Sequence, residues 1–433
     1  MSGAASGSKR KAVGASSSRS SNGKKAKSVS TEGDASIPLG RALASTEKRT
    51  RDAAVRSLTA YLSANGAHTI DPLELGKLWK GLFYCFWMSD KPLVQQRLAN
   101  DLANLVLVHP TSTEEAGEMS QRVMAGLTFL EGFWDTLVAE WAGLDKHRID
   151  KYYLLVRRFV AAGFRLLAEE KWQPKAVERL AAMLGKWPGG ALSTNDPKVP
   201  DSLTYHLSDI YLDELEKVIE TVHDEENGQE QEEEEEEEDL PLVPTLQLLM
   251  PFVDALATAK SKAMYDRIWS NVFEPLLDDT LRASARDDDS QDGSEDESEQ
   301  DDEQDDDQDD AEEEAGDETT TGTEFHSFAD ESTLTHTIDD DESEPSLASD
   351  SDDEDEEEDS DNDVRYPLLL ALSSVPIPTD VDEDDEQLDV ALVLRKAIFQ
   401  ALFTAASRKD ATEARRRLLY QLWRDEQDRL NDS

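Results

Sequence analysis

The stretch LWKGLFYCFWMSDKP, residues 78–92, decides how this chain folds. Five large aromatic side chains fall within nine residues of it: Trp79, Phe83, Tyr84, Phe86 and Trp87. Most of them are spaced three and four residues apart, together with nearby leucines, so they form one broad apolar stripe on a helix. Each large ring buries about 150–250 Å². We therefore expect this stripe to lie in a hydrophobic core.

Two of the aromatic residues, Tyr84 and Trp87, lie off the centre of the stripe. The pattern leaves two readings open for them, contact with a neighbouring helix or contact with a partner protein at the edge of the fold. The same stretch holds the chain's one cysteine, Cys85, so an intrachain disulfide and a multi-cysteine metal site are excluded. Because Cys85 lies among apolar residues, it is predicted to be a small buried apolar side chain. A single cysteine is typical of a protein from a reducing compartment.

Helical patterning extends outward from this stretch over residues 37–286. Asp71 and Pro72 form a helix start signal before the aromatic stripe, and Pro92 opens the next helix. No alternating strand pattern competes with it. Stacked antiparallel helix pairs are the natural result, so we predict an all-α, irregular HEAT-like helical-repeat solenoid. Further helices are predicted near 46–66, 114–142, 145–169, 174–184, 203–223 and 244–281.

Charge divides the chain into a nearly neutral part and a polyanion. The net charge is −52. Residues 287–363 contain 40 acidic residues and neither lysine nor arginine. Such a composition cannot form a core, so a long disordered insertion is predicted there. The predicted domains are a basic tail (1–35), a helical-repeat domain (36–286) with an acidic loop (224–239), the polyacidic segment (287–363), and C-terminal helices (364–433) that pack back on the solenoid.

The first 35 residues are polar, with seven basic residues before the first acid, Glu32. Two basic clusters twelve residues apart suit a two-pocket nuclear import receptor, and a generic solubilising tail is the alternative. The candidate import residues are Lys9, Arg10, Lys11, Lys24, Lys25 and Lys27. No signal peptide and no run of 18 apolar residues is visible, so neither a membrane span nor a membrane partner is expected.

The helix predicted near 145–169 carries a basic stripe. At 100° per residue, four of its basic residues fall within about 100° of arc, with a fifth beside the apolar face. A stripe of this kind can pair with nucleic-acid phosphates or with an acidic protein surface. A solvated face with local pairs to Asp145, Asp150 and Glu169 is the alternative. The stripe residues are Arg148, Lys151, Arg158 and Arg165, and the fifth is Arg157.

No catalytic motif is found in the sequence. Phosphate loops, nucleophile elbows and zinc-protease signatures are missing, and the seven histidines have no ligand spacing. We therefore predict that the protein is not an enzyme, with no catalytic residues, no cofactor, no metal and no small-molecule substrate. Ser294, Ser351 and Ser360 are each followed by an acid at the third position, which makes them candidate sites for an acidophilic kinase.

Several segments resemble one known family. LWKGLFYCFWMSDKP (78–92), DKHRIDKYYLLVRRF (145–159) and YHLSDIYLDELEKV (205–218) are similar to the nucleolar family of ribosomal RNA processing protein 1, also called the Nop-fifty-two family. TEKRTRDAAVRSLTAYL (46–62) and FLEGFWDTLVAEWAGLD (129–145) fit as well. The resemblance covers roughly residues 37–281, and RRRLLYQLW (415–423) is a weaker match to the end of the family domain.

The resemblance implies a nuclear, nucleolar assembly factor of the large ribosomal subunit. Its expected partners are pre-ribosomal RNA, other assembly factors and an import receptor, with basic ribosomal proteins on the acidic segment. Two alternatives remain open. One is an acidic chaperone for histones or ribosomal proteins, and the other is a ribonuclease with a dispersed carboxylate site.

Overall fold

The computed structural model describes residues 37–110, 119–230, 241–292, 363–374 and 389–432. Within these ranges the regular structure is helical, apart from an isolated parallel bridge between Val243 and Ser373. The helices are α1 (Ile37–Leu43), α2 (Lys48–Asn65), α3 (Pro72–Trp87), α4 (Pro92–Ala103), α5 (Gln121–Glu140), α6 (Ile149–Ala168), α7 (Pro174–Gly185), α8 (Asp201–Glu230), α9 (Thr245–Thr258), α10 (Lys262–Ile268), α11 (Glu274–Asp292), α12 (Pro367–Ala371), α13 (Val390–Ser407) and α14 (Glu413–Asp432).

The helices pack in two rows. In the first row α1, α3, α5, α7 and α9 lie side by side in that order, and in the second row α4, α6 and α8 do the same. At the far end α13 packs on α9 and α11, and α14 packs on α13. Each helix in a row therefore packs beside the helix that comes two helices later in the chain. This is the arrangement of a helical-repeat solenoid. The predicted all-α, HEAT-like architecture is therefore confirmed.

Helix α3 forms where the sequence predicts it. The Asp71 side chain accepts a hydrogen bond from the Leu73 N–H at 2.9 Å, and Pro72 occupies the first turn. Leucines and aromatic residues at helical spacing then fill the core side of α3, and Phe86 is fully buried. The helix ends at Trp87, where the Ser89 hydroxyl donates to the Phe86 carbonyl at 2.7 Å.

The aromatic residues of α3 meet those of α5 and α6. The Trp79 ring lies 4.4 Å from the Phe129 ring, and the Phe133 and Phe159 rings stack at 3.9 Å between centroids. Gly132 makes this packing possible, because a Cβ atom there would lie 2.3 Å from Cδ1 of Trp79. We call this cluster the aromatic centre: Trp79, Phe83, Phe86, Phe129, Phe133, Tyr152 and Phe159.

Several helix boundaries differ from the prediction. Helix α8 continues to Glu230 and α11 to Asp292, so the first residues of both acidic segments, predicted as loop, extend a helix. The long helix expected near 114–142 is α5, Gln121–Glu140. The pattern at 244–281 is two helices and the start of a third, because the chain turns at Ala259–Ser261 and passes through a π-helical turn at Trp269–Phe273.

By length and composition alone, α13 is a helix that could cross a membrane, and among the described residues no other helix meets that criterion. The core helix of a solenoid meets it equally well. In the structure α13 lies against α9, α11 and α14, and its Arg395 forms a buried ion pair with Glu426 of α14, 2.7 Å between Nη2 and Oε2. These contacts identify α13 as a core helix.

Candidate RNA or partner interface

The predicted basic stripe lies on α6, in the middle of the second row between α4 and α8. One side of α6 is apolar and buried, with Tyr152, Val156 and Phe159 at or near zero exposure. Packing of this side fixes the rotation of the helix. The charged residues are therefore directed toward the seams with α4 and α8 and toward solvent.

Lys151 is not part of an exposed stripe, and this part of the prediction is wrong. Its side chain is 7% exposed, and its Nζ donates to the carbonyls of Trp87 at 2.8 Å and Ser89 at 2.6 Å. Burial lowers the pKa of Lys151 to about 8. The reason is local: carbonyls at the end of α3 lack helical partners, and Lys151 supplies them with hydrogen-bond donors. Lys151 joins α3 to α6 and is not available to RNA.

Arg148 lies over Trp87, one of the two off-stripe aromatic residues of α3. Its guanidinium is 4.5 Å from the centre of the Trp87 ring, and it also forms an ion pair with Asp145. Tyr84, beside Trp87, is 37% exposed. Tyr84 and Trp87, which we call the aromatic edge, thus keep partial exposure beside an arginine. This is a composition typical of protein interfaces, and the partner contact predicted there stays a prediction.

Arg157 is compensated within the chain. Its Nε lies 2.7 Å from the Glu214 carboxylate of α8, and Asp213 lies 3.9 Å from Nη2. Glu214 is nearly buried, and burial raises its pKa although Arg157 acts in the opposite direction. Arg157 therefore connects α6 to α8, which is a structural role.

Arg158 and Arg165 form no ion pair with a carboxylate in the part of the chain that the structure describes. Both are half-buried on α6, and the charge of Arg158 opposes the rise in the pKa of Glu214 that burial causes, although less than Arg157 does. Arg165 donates instead to Oδ1 of Asn104 at 2.7 Å. Seven residues separate the two arginines, so they lie on one face of α6, about 10 Å apart along its axis.

The sequence analysis missed Arg97 on α4. This side chain is exposed, and no described carboxylate pairs with it. Arg97 on α4 precedes Asn104 by seven residues, and Arg158 precedes Arg165 by seven residues on α6. The hydrogen bond between Asn104 and Arg165 places these two residues at the same height along the paired helices. Helical geometry therefore sets Arg97 at the level of Arg158. We call Arg97, Arg158 and Arg165 the arginine surface. The sequence pattern of α6 could not have indicated Arg97, because Arg97 lies on a different helix.

The structure shows no group that suggests catalysis within the described ranges. No cluster of three or more His, Cys, Asp or Glu residues there could hold a metal ion. Burial raises the pKa of the Cys85 thiol to about 11, which makes it a poor nucleophile. Burial also lowers the pKa of His109 to about 4, with His68 and Arg122 adding to the shift.

Some predicted sites lie outside the described residues. These are the import residues Lys9, Arg10, Lys11, Lys24, Lys25 and Lys27 and the candidate phosphosites Ser294, Ser351 and Ser360. They stay predictions.

Comparison with known proteins identifies one family. Residues 34–387 match the family described as nucleolar protein, Nop52. Human ribosomal RNA processing protein 1 homolog B is 32% identical over 249 residues, which is 57% of this chain and 29% of the relative. Human homolog A is 32% identical over 56% of this chain and 46% of the relative. The fruit fly homolog is 26% identical over 56% and 31%. The matched region thus spans less than half the length of each of these relatives.

Proposed function

Because this chain belongs to the Nop52 family of nucleolar proteins, we propose that it is a non-catalytic assembly factor in ribosomal RNA processing and biogenesis of the large ribosomal subunit. It works in the nucleolus and binds pre-ribosomal RNA and other assembly factors. The observation that carries the proposal is the family match over residues 34–387, which includes helices α1 to α12 and ends before α13 and α14. A scaffold role agrees with a fold of stacked helices, which offers extended surfaces for several partners at once.

The arginine surface is the proposed RNA contact. Arg97, Arg158 and Arg165 form no ion pair with a described carboxylate, and only Glu214 acts on Arg158 at longer range, whereas Arg157 and Lys151 are engaged within the fold. Each phosphate contact releases condensed counterions, so binding should weaken as salt increases. The aromatic edge, with Arg148 over Trp87, is the proposed docking point for a protein partner.

The experiment is ultraviolet crosslinking of the tagged protein in cells, combined with sedimentation of pre-ribosomal particles. We expect crosslinks concentrated in large-subunit precursor RNA, with peptides from α4 and α6. Arg158→Glu with Arg165→Glu should reduce the crosslinks at least tenfold. The matched control is Arg417→Glu with Arg424→Glu, an equal charge change at two exposed positions seven residues apart on α14. Co-sedimentation of the wild type without RNA crosslinks would limit the role to protein contacts.

The basic tail would supply nuclear import through the two clusters at 9–11 and 24–27. Replacing their six basic residues by glutamine should move a fluorescently tagged protein to the cytoplasm. Unchanged nuclear and nucleolar fluorescence would reject these clusters as the import signal.

An acidic chaperone for histones or ribosomal proteins is the second candidate, since residues 287–363 carry 40 acidic residues without a basic one. Such a tether can bind basic ribosomal proteins weakly, and phosphate on Ser294, Ser351 or Ser360 would add charge. Deleting 287–363 separates the two functions. The scaffold keeps its pre-ribosome association after the deletion, and the chaperone loses its activity. Mass spectrometry that finds these serines unmodified in cells would remove the phosphorylation hypothesis.

A further inference from the structure

A groove with a volume of about 920 Å³ opens at the first repeat of the solenoid. Helix α2 forms one wall, α1 closes one end, and the turn at Thr69–Asp71 and the start of α3 form the other wall. Leu39, Leu58, Ile70 and Leu78 contribute apolar surface to it. The groove exists because α1 packs closely on both α2 and α3, whereas α2 and α3 do not pack closely on each other.

The α2 wall has the shape that accepts a helix. Between Arg49 and Tyr61 its groove-facing residues are small except for Leu58: Thr50, Ala53, Ala54 and Ser57. The span from 49 to 61 is about 18 Å, or a little over three helical turns. Small residues along one wall allow a second backbone to approach to the usual interhelical separation of about 8–10 Å. Tyr61, which is 40% exposed, stands at the end of this wall.

The two rims of the groove carry opposite charge. Arg49 lines the α2 rim, and helical geometry places Arg56, seven residues later, beside it on the same face of α2. Both are exposed, and neither forms an ion pair with a described carboxylate. Asp71 and Glu74 line the opposite rim, where Glu74 also pairs with Lys77 at 2.6 Å. An apolar floor between a basic and an acidic rim fits an amphipathic helix whose two flanks carry the complementary charges. It does not suit RNA, because the acidic rim would repel phosphates.

We propose that this groove binds an amphipathic helix of another assembly protein. The helix has apolar residues at spacings of three and four, acidic residues on the flank beside Arg49 and Arg56, and a basic residue on the flank beside Asp71. The contact belongs to the helix-in-groove mode of recognition. The inference rests on the proposed scaffold function, because it assumes that the partner is a component of the same pre-ribosomal particle.

The test places a photo-crosslinking amino acid at Ala53, an exposed position in the middle of the α2 wall, in the full-length protein in cells. The control places it at Ala139, an exposed position on α5 outside the groove. Crosslinked peptides are then sequenced from particles that sediment with large-subunit precursors. The expected result is a crosslink from position 53 to one partner peptide with the apolar and acidic pattern described above, and none to that peptide from position 139. Crosslinks from position 53 to residues 1–36 of this chain, to a second copy or to RNA would overturn the proposal, as would their absence.

A second variant tests the occupancy of the groove. With the crosslinker kept at position 53, Ser57→Trp fills the groove, and Ala139→Trp adds a similar volume elsewhere. Only the first should abolish the position-specific crosslink, with thermal unfolding unchanged in both. Arg49→Glu with Arg56→Glu should weaken the same crosslink at least tenfold, and Lys48→Glu, on a residue that already pairs with Asp52, should not. Sedimentation of the wild type separates the two failures. If it does not sediment with precursors, the proposed function fails. If it sediments without the groove crosslink, the groove proposal alone fails.

Discussion

The aromatic centre and the segment that follows the polyacidic region are attached to the solenoid in different ways. The aromatic centre joins α3, α5 and α6 through stacked and tilted rings, with few hydrogen bonds. Residues 363–374 are instead held on α8 and α11 by carboxylates. Glu216 accepts the N–H groups of Leu368 and Leu369, both at 2.9 Å, and Asp279 accepts those of Arg365 and Tyr366, also at 2.9 Å.

The difference follows from how far apart in sequence the joined segments are. Helices α3, α5 and α6 lie within one stretch of about 100 residues, with α4 between α3 and α5, so nondirectional apolar burial is enough to join them. Residues 363–374 are separated from α11 by about 70 residues of chain, and bringing together two points at that separation on a flexible chain costs about 4 kcal/mol. Hydrogen bonds that backbone N–H groups donate to fixed carboxylates specify one position and one orientation for such a segment. Buried Arg395, which pairs with Glu426 and donates to the Leu277 carbonyl, plays a similar directional role for α13.

The largest expected effect is loss of the aromatic centre. Trp79→Ala should lower the free energy of unfolding by about 3–5 kcal/mol, because it removes a buried ring and leaves a cavity. Denaturant unfolding measures this change. Trp187, which is 61% exposed, supplies the control, and Trp187→Ala should cost less than about 0.5 kcal/mol. Equal losses in the two variants would contradict the role assigned to the aromatic centre. Phe83→Ala should also cost about 3–5 kcal/mol, since Phe83 is 6% exposed.

Breaking the ion pair between α13 and α14 should come next. Glu426→Leu alone leaves Arg395 buried without its carboxylate and should cost about 3 kcal/mol. Arg395→Met combined with Glu426→Leu should recover most of that loss, because apolar residues can replace a buried pair. If the double variant is as unstable as Glu426→Leu, the ion pair stabilises the protein by more than the neutralisation of one buried charge by the other.

The two regions should also differ in mild acid. Burial lowers the pKa of His109, beside Phe129, to about 4 from an ordinary 6.5. The unfolded chain therefore binds this proton first, and stability falls as the pH drops from 6.5 to 4. His109→Gln should remove about 2 kcal/mol of that loss at pH 5. Burial raises the pKa of Glu426, but hydrogen bonds from Arg395 and Arg429 outweigh burial and hold it at about 2, so its stabilisation is lost only between pH 4.5 and 2.

Both losses of stability on acidification, the one from His109 and the one from Glu426 at lower pH, are measurable as the pH dependence of thermal unfolding. The wild type and the His109→Gln variant should diverge below pH 6.5 and run parallel above it. Parallel curves over the whole range would show that His109 binds a proton equally well in the folded and unfolded chains.

The smallest and most local effect is expected at the docked segment. Asp279→Ala leaves the N–H groups of Arg365 and Tyr366 without acceptors and should cost about 1–3 kcal/mol. Hydrogen exchange should speed up at residues 365–369 and stay unchanged in α3 and α5. Faster exchange throughout the chain would mean that this segment is part of one cooperative unit with the aromatic centre.

Much of the first region could be predicted from the sequence, and little of the second. The spacing of Trp79, Phe83 and Phe86 indicated their core face because a helix presents residues three and four apart on one side. The interaction partners of the basic residues on α6 could not be predicted in the same way. Lys151 turned toward carbonyls of α3, Arg157 met Glu214 of α8, and Arg97 joined from α4, each through a neighbour distant in sequence.

The sequence by itself determined the all-helical class, the position of the aromatic centre, the polyanionic composition of residues 287–363 and, through its resemblance, the family. These properties depend on composition and on periodicity within single helices. The tertiary structure was needed to establish which arginines lack an ion pair, how residues 363–374 are held on Glu216 and Asp279, and that α2 and α3 leave a groove between them. Those features depend on how separate helices rotate and approach one another, and the packing of the whole core sets that geometry.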